Sequence, residues 1–350
     1  MNSEPATKGL LERLDEGPVI CAEGYLFEFE RRGYLQAGAY VPEIVLEHPE
    51  LVAGLHREFV HAGSDVVEAF TYYAHREKMR LIGKEHLIEP LNRDALAIAA
   101  GVARETGALG AGDLCNTNAF FPDEATRREV RGMFDEQVGW IVDAGMDFVI
   151  AETFSYGAEA LLALEAIKSA GLPGVVTLAI HRAPETREGW SPEEACARLA
   201  DAGADVVGLN CIRGPATMLP LIERVREAVG VHVAALPVPY RTTGDEPSFQ
   251  SLTDPGCDCL PGDGRPFPTA LDPFYCNRYE IAEFARDAYA LGVRYLGVCC
   301  GAAPHYIRSV AEALGRETPA SRYSPDMSRH AFLGTDPQLR SHNQAYAKEL

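Results

Sequence analysis

The stretch Asp201-Ala-Gly-Ala-Asp205-Val-Val-Gly-Leu-Asn210-Cys211 decides the fold, because variants of it recur along the chain. Similar stretches occupy residues 61–71, 143–152 and 291–300. In each, a glycine that can end a helix in the left-handed conformation precedes a short, valine-rich apolar run. Such runs are typical of parallel strands that are buried on both faces.

Four more apolar runs are strand candidates, at 19–23, 108–113, 175–180 and 232–237. Amphipathic segments between the strands predict helices at 42–59, 94–105, 123–142, 157–169, 192–199, 216–228, 278–290 and 304–314. Eight strands that alternate with helices favour an α/β fold of the (β/α)8 TIM barrel type. A doubly wound open sheet is the alternative.

Two segments lie outside the repeat. Residues 239–277 are rich in Pro, Gly and Asp, and they predict a long loop after strand 7 that covers the barrel mouth. We expect residues 1–316 to form the barrel domain. Residues 317–350 then form a C-terminal extension that packs on this subunit or on a partner in a homo-oligomer.

Composition narrows the class of protein. The 350 residues are 47% hydrophobic and carry a net charge of −19, which disfavours nucleic acid and anionic membranes as partners. The chain contains no apolar stretch long enough to span a bilayer, and its first residues lack the pattern of a signal peptide. Nine cysteines, an odd number, do not resemble a secreted disulfide framework. We therefore expect a cytoplasmic protein with mostly free thiols.

Three cysteines follow predicted strands: Cys211, and the adjacent pair Cys299 and Cys300. Catalytic residues of TIM barrels lie at the carboxyl ends of the strands, so these thiols should meet at one face. Three sulfur ligands leave the fourth tetrahedral position of Zn²⁺ open, as in catalytic sites. The sequence therefore predicts Zn²⁺ as the cofactor and these cysteines as its ligands and catalytic residues. The alternative is that they are small buried apolar residues.

The other cysteines carry less information. Cys257, Cys259 and Cys276 lie in or near the long loop and can form a second metal site, although loop thiols without function are the simpler interpretation. Cys21, Cys115 and Cys196 are expected to pack in the core.

The motifs Gly-Leu-Asn210-Cys211 and Gly-Val-Cys299-Cys300-Gly301 resemble the signature of the zinc-dependent homocysteine S-methyltransferases. Residues 29–38, 41–50, 55–59, 69–74 and 285–295 are similar to the betaine–homocysteine branch. The resemblance extends from about residue 20 to 314. It implies a (β/α)8 barrel in which three cysteines hold one Zn²⁺, and methyl transfer from an onium donor such as glycine betaine to homocysteine. The products would be methionine and dimethylglycine.

The resemblance also implies how homocysteine is held. It places the acid for the homocysteine ammonium at Glu152, for which an internal salt bridge with an arginine is the alternative. The family commonly has Asp-Gly-Gly or Asp-Gly-Ala at the end of the first strand, where this chain has Ala22-Glu23-Gly24. Ungapped register puts Ala22 at the acid position. We expect Glu23, with Gly24, to bind homocysteine instead, and Thr71 after the second strand to join them.

The methyl donor is expected to meet aromatic rings. Tyr40, Tyr72 and Tyr73 follow the first two strands, and a quaternary ammonium is held by ring faces rather than by ordinary hydrogen bonds. Core packing is the alternative role for these rings. The betaine–homocysteine branch usually has tryptophan at the position of Tyr40 and phenylalanine at that of Tyr72. A sulfonium donor, dimethylsulfoniopropionate or S-methylmethionine, is therefore the alternative to betaine.

Two further classes of function compete with methyl transfer. A zinc or thiol redox sensor would need its adjacent cysteines to be accessible to oxidants and a disulfide-forming partner. A hydrolase would use metal-bound water, but three cysteinates make zinc a poor Lewis acid.

Overall fold

The computed structural model describes residues 8–262 and 264–350. Its centre is a sheet of eight parallel strands in the order β1-β8-β7-β6-β5-β4-β3-β2. The strands are β1 (Val19–Ala22), β2 (Val66–Glu68), β3 (Leu109–Cys115), β4 (Phe148–Phe154), β5 (Gly174–Leu178), β6 (Val206–Asn210), β7 (His232–Leu236) and β8 (Tyr295–Val298). All eight coincide with predicted strands, so the predicted TIM barrel is confirmed and the open sheet is wrong.

Helices surround the barrel. They are α1 (Leu10–Glu16), α2 (Tyr25–Arg31), α3 (Ile44–Glu47), α4 (Pro49–Ala62), α5 (Arg76–Leu81), α6 (Ile88–Thr106), α7 (Glu124–Ala144), α8 (Gly157–Ser169), α9 (Pro192–Asp201), α10 (Pro215–Ala228), α11 (Arg278–Ala290), α12 (Pro304–Ala313) and α13 (Ser341–Tyr346). The sequence predicted the longer helices but not α1, α2, α5 or α13.

The prediction of a single helix at 42–59 is wrong, because the helical conformation is interrupted at His48, between α3 and α4. His48 has φ −143° and ψ 60°, and Pro49 begins α4. A proline disfavours helical backbone in the residue before it, and its own ring fits the first turn of a helix. Two helices therefore replace one.

The four repeated stretches each contain a glycine before the strand, and three of them have an aspartate two residues later: Asp65, Asp147 and Asp205. The glycines end helices with positive φ, as predicted, at Gly63, Gly145, Gly203 and Gly292. The three aspartates accept a hydrogen bond from an amide on the preceding strand. Asp147 Oδ2 accepts from Gly110 N at 2.8 Å, and Asp205 Oδ2 accepts from Gly174 N at 2.8 Å.

The third such aspartate, Asp65, joins β1 to β2. Its Oδ2 accepts from Ile20 N at 2.7 Å, and its own amide donates to Ile20 O at 2.7 Å. Arg316, after α12, reaches the same carboxylate at 2.5 Å. These bonds complete the barrel between its first two strands.

The strands form a rigid platform for the residues that follow them. Every strand residue is buried except the half-buried His232. Burial on both faces is expected of a parallel sheet that is filled inside and covered by helices outside.

Two segments extend beyond the barrel. Residues 239–277 run from β7 to α11, as predicted, and begin and end with a bridge between Tyr240 and Tyr275. Past α12, a short 3₁₀ helix, Pro319–Tyr323, packs on α4 and α12. The domain boundary at residue 316 remains a prediction. Within the described part of the chain, no helix has both the length and the apolar character needed to cross a membrane.

Candidate active site

Three thiols meet at the carboxyl end of the barrel. The sulfur atoms of Cys211, Cys299 and Cys300 lie within 4.8 Å of one another. Cys211 and Cys299 are buried, and Cys300 is half-buried. Three cysteine sulfurs at this spacing fit a soft metal ion such as zinc.

The backbone fixes the two cysteine segments to the end of β7. Cys211 N donates to Leu236 O, and Cys299 N donates to Pro237 O, both at 2.9 Å. Cys211 and Ile212 have φ values of 56° and 59°, which non-glycine residues rarely adopt. The sharp turn after β6 thus directs Cys211 toward the other two thiols, and backbone strain of this kind is common at functional sites.

The thiols differ in acidity. Hydrogen bonds from Cys299 and Cys300 hold the pKa of the Cys211 thiol well below its usual value. Burial raises the pKa of Cys299, and the bond to Cys211 raises the pKa of Cys300. One thiolate stabilised by two thiols is a donor set that exchanges its protons for a metal ion.

Asn210 connects the thiols to two carboxylates. Its Nδ2 donates to Glu152 and, at 3.1 Å, to Glu23 Oε2, and it lies 3.8 Å from Cys299 Sγ. Its Oδ1 accepts from Thr153 N at 2.9 Å, which fixes the orientation of the amide. The side chain therefore holds both acids beside the sulfur cluster.

Glu23 reaches this position without a change of strand register. β1 pairs with β8 in regular register as far as Ala22 and Val298, and Glu23 follows the strand. Glu23 is buried, and its carboxylate lies within 4.8 Å of Glu152 and Cys299 ligand atoms. Gly24 packs so closely on the cysteine segment that a Cβ there would lie 2.5 Å from Ala302 Cβ.

Four acids surround a small inner chamber of about 20 Å³. They are Glu23, Glu68, Asp113 and Glu152, from the ends of the first four strands. Burial, followed by repulsion among the acids, raises the pKa of each carboxyl group well above its usual value. In the described chain, no lysine or arginine forms a salt bridge with any of the four, so the arginine partner considered for Glu152 is absent.

Thr71 does not line the chamber, but it contacts Asp113, one of its four acids. Its Oγ1 donates to Asp113 O at 2.9 Å and lies 3.4 Å from Asp113 Oδ2. It is buried and thus orients Asp113.

A second cavity, of about 190 Å³, lies on the outer side of the thiols. Tyr40, Tyr72 and Tyr73 line it, as do Phe27 and two rings of the long loop, Phe249 and Phe267. Tyr40 and Tyr73 have positive φ, which orients these two residues at their turns. Lys78 Nζ lies 4.4 Å from the centre of the Tyr73 ring and occupies one of its faces.

The two cavities share a wall that contains Cys300, Thr153 and Tyr72. No described arginine or lysine lines either cavity. The site therefore has an acidic chamber and an aromatic cavity that both border the thiol cluster at Cys300.

Sequence reasoning missed three residues as site members. Asn210 enters the sequence analysis only within a motif, Asp113 only as the last residue of a predicted strand, and Glu68 not at all. A detectable signal existed for Glu68, because an acid within the apolar run Val66-Val67-Glu68-Ala69-Phe70 must be buried.

Among the residues that the structure describes, the loop cysteines join no potential metal-binding cluster. Cys257 and Cys259 are joined in a disulfide, which corrects the prediction that they are free loop thiols. Cys276 is buried and belongs to no potential metal-binding cluster of the described residues. Cys21, Cys115 and Cys196 are buried free thiols, as expected.

Comparison with known proteins identifies the family. The family model described as homocysteine S-methyltransferase matches residues 24–314. The chain belongs to the homocysteine S-methyltransferase family. Betaine–homocysteine S-methyltransferase 1 of Xenopus tropicalis is 39% identical over 346 residues, which cover 96% of this chain and 82% of that protein.

Other homocysteine S-methyltransferases support the assignment. S-methylmethionine–homocysteine S-methyltransferase of Mus musculus is 36% identical over 348 residues, which cover 97% of this chain and 91% of that one. The fold is shared with the metallated form of the homocysteine methyltransferase MmuM from Escherichia coli. That structure has a TM-score of 0.65 at 16% identity and covers 85% of this chain and 96% of its own.

Proposed function

We propose that this homocysteine S-methyltransferase transfers a methyl group from glycine betaine, or a related quaternary ammonium compound, to homocysteine. One observation carries the proposal: Cys300 lies in the wall between an acidic chamber and an aromatic cavity. An amino-acid thiol and an onium donor can thus approach the thiol cluster from these two cavities. The relatives named betaine–homocysteine S-methyltransferase support the choice of substrates.

Cys211, Cys299 and Cys300 would hold the cofactor, which we propose is Zn²⁺. Their sulfur atoms are within 4.8 Å of one another, and the segments that carry them are fixed to β7. When bound, Zn²⁺ would favour the thiolate form of an incoming thiol at neutral pH.

The acceptor is held by its ammonium group. Glu152 and Glu23 lie beside Cys299 and are oriented by Asn210. Their carboxylate oxygens and the Cys299 sulfur lie within 4.8 Å of one another, so one short amino acid can place its ammonium at the acids and its thiol at the sulfur cluster. Gly24 lets the end of the first strand approach Ala302, and Thr71 holds Asp113 in the chamber wall.

The donor's onium group lies among the tyrosines. Ring faces attract a quaternary ammonium by about 0.5–2 kcal/mol each. Tyr40 and Tyr72 supply such faces, and the phenylalanines of the long loop exclude water from the methyl groups.

Methyl transfer needs no general acid. The acceptor sulfur forms a bond to the methyl carbon as the C–N bond breaks, and the electron pair leaves with nitrogen as a neutral tertiary amine. The thiol proton passes to solvent. Catalysis then rests on holding sulfur, methyl and nitrogen in line, which positioned substrates achieve.

A sulfonium donor is the second candidate. Tyr40 and Tyr72 replace the rings that the resemblance to the betaine branch implies at these positions. One relative bears the name S-methylmethionine–homocysteine S-methyltransferase. Turnover with betaine, dimethylsulfoniopropionate and S-methylmethionine at equal concentration decides between them. Labelled methionine from methyl-¹³C betaine supports the first proposal, and transfer only from a sulfonium supports the second. No transfer to homocysteine from any of the three overturns both.

We further propose a cytoplasmic homo-oligomer that uses small-molecule substrates and binds neither nucleic acid nor membranes. The net charge of −19 supports this exclusion. The C-terminal extension supports an oligomer, since it exposes Leu333 and Tyr346, which are 57% and 48% accessible. Light scattering of the full chain and of a chain that ends at residue 324 tests the oligomer.

A further inference from the structure

The inner chamber contains more acid than the proposed contacts of the acceptor require. Glu68 is 2% exposed, and neither of its carboxylate oxygens has a hydrogen-bond partner. Asp113 is also 2% exposed, and its Oδ1 has no partner. Buried carboxyl oxygens without partners are costly, so their presence here points to a bound group that donates to them.

The four acids form one ring. Ligand atoms of Glu68, Asp113 and Glu152 lie within 4.8 Å of one another, and Glu23 lies within this distance of both Glu68 and Glu152. Oxygens at such spacing can all reach one nitrogen at N–H···O distance. Four chamber oxygens lack a partner: Glu23 Oε1, both oxygens of Glu68 and Asp113 Oδ1. A tetrahedral ammonium carries a positive charge and three N–H donors, so it can satisfy three of them at once.

Glu152 connects the ring to the sulfur site, because it also lies within 4.8 Å of Cys299. A ligand with its sulfur at the thiol cluster therefore has its ammonium among the acids. The chamber's volume of about 20 Å³ leaves room for that group and excludes a larger substituent on nitrogen.

We propose that Glu68 and Asp113 are specificity residues for the acceptor, and that with Glu23 and Glu152 they bind a primary ammonium. The inference rests on the proposed function. It restricts acceptors to thiols with a free amino group. Thiols whose amino group is acylated or missing offer no ammonium to the four acids, and we expect them to bind weakly.

The test compares Glu68→Gln and Asp113→Asn with the wild-type holoenzyme. Isothermal titration measures the affinity for homocysteine and for 4-mercaptobutyrate, which lacks the amino group. We expect each variant to weaken homocysteine binding about tenfold or more, as for the loss of a charge-assisted hydrogen bond, and to leave 4-mercaptobutyrate unchanged or tighter. Glu159→Gln is the matched control, a buried glutamate that bonds Thr117 and lies outside the chamber.

Three results would overturn the inference. In the first, the variants lose affinity equally for homocysteine and for 4-mercaptobutyrate. In the second, they lose affinity for neither. In the third, the wild type's affinity for homocysteine depends on added Na⁺, K⁺ or Mg²⁺, and Glu68→Gln removes that dependence. The last result would assign the chamber to an inorganic cation. Failure of the proposed function is distinct, since the wild type would then neither bind nor methylate homocysteine.

Discussion

Asn210 donates a hydrogen bond from its side-chain amide to the carboxylate of Glu152, across the barrel from β6 to β4. The same amide faces Glu23, and the bond from Thr153 N prevents it from turning over. The pair thus orients the acids that we assign to the acceptor's ammonium, directly beside the thiol cluster.

Asn210→Asp should lower kcat/KM for homocysteine by about 100-fold, because a third carboxylate would replace the amide donor between two buried acids. Steady-state kinetics at saturating donor measures this. Asn92→Asp is the control, since Asn92 is buried and bonds Ala74 O and Ile88 O outside the site. The control should lower Tm without changing KM. Equal kinetic effects in both variants would contradict the role of Asn210.

Tyr72→Leu should raise the donor KM about 2- to 30-fold, from the loss of one ring face, with little change in the homocysteine KM. Tyr72→Phe keeps the face and loses only the hydroxyl that accepts from Asn116, so its donor KM should stay near that of the wild type. Tyr279→Leu, on the exposed surface of α11, controls for general effects. If Tyr72→Phe weakens donor binding as much as Tyr72→Leu does, the Tyr72 ring face does not bind the onium group.

Glu68→Gln should raise Tm, and by more at pH 8 than at pH 5. The pKa of Glu68 is raised by burial, so the folded protein holds a proton that the unfolded chain releases. Its favourable contribution is present at low pH and is lost as pH rises through the raised pKa. Glutamine has no proton to lose, so the difference in Tm between variant and wild type should widen with pH. A constant difference would contradict the raised pKa.

Asp65→Ala should lower the free energy of unfolding by about 2–3 kcal/mol, because it leaves Ile20 N unpaired and removes the partner of Arg316. Asp147→Ala should cost less, since it loses the bond to Gly110 alone. Asp201→Ala, at an exposed position of the same repeat, should change stability by less than about 0.5 kcal/mol. Denaturant unfolding measures the free energy of unfolding of each variant. Equal losses at all three positions would contradict the predicted order.

The sequence predicted the strands well because each is a buried apolar run after a helix-ending glycine. It also predicted that Cys211, Cys299 and Cys300 converge, since strand ends of a closed barrel meet. The aspartates of the repeat are visible in the sequence, but their bonds to the preceding strand depend on register, which one strand alone does not reveal.

Other features could not be predicted from local patterns. The acid ring combines four strands that are distant in sequence, so the burial of Glu68 has meaning only once the barrel is closed. The break at His48 was missed because apolar periodicity continues across it, and only the backbone restriction before Pro49 marks the boundary.

Metal content and ligation test the central claim most directly. We predict one equivalent of zinc in the purified wild type, an X-ray absorption spectrum with three protein sulfur ligands, and added metal–sulfur scattering with homocysteine but not with homoserine. Serine at position 211, 299 or 300 should remove the metal and turnover, and Cys196→Ser, a buried thiol near Gly208, should keep both. Wild-type protein without stoichiometric metal, or serine variants that keep metal and turnover, would contradict the account.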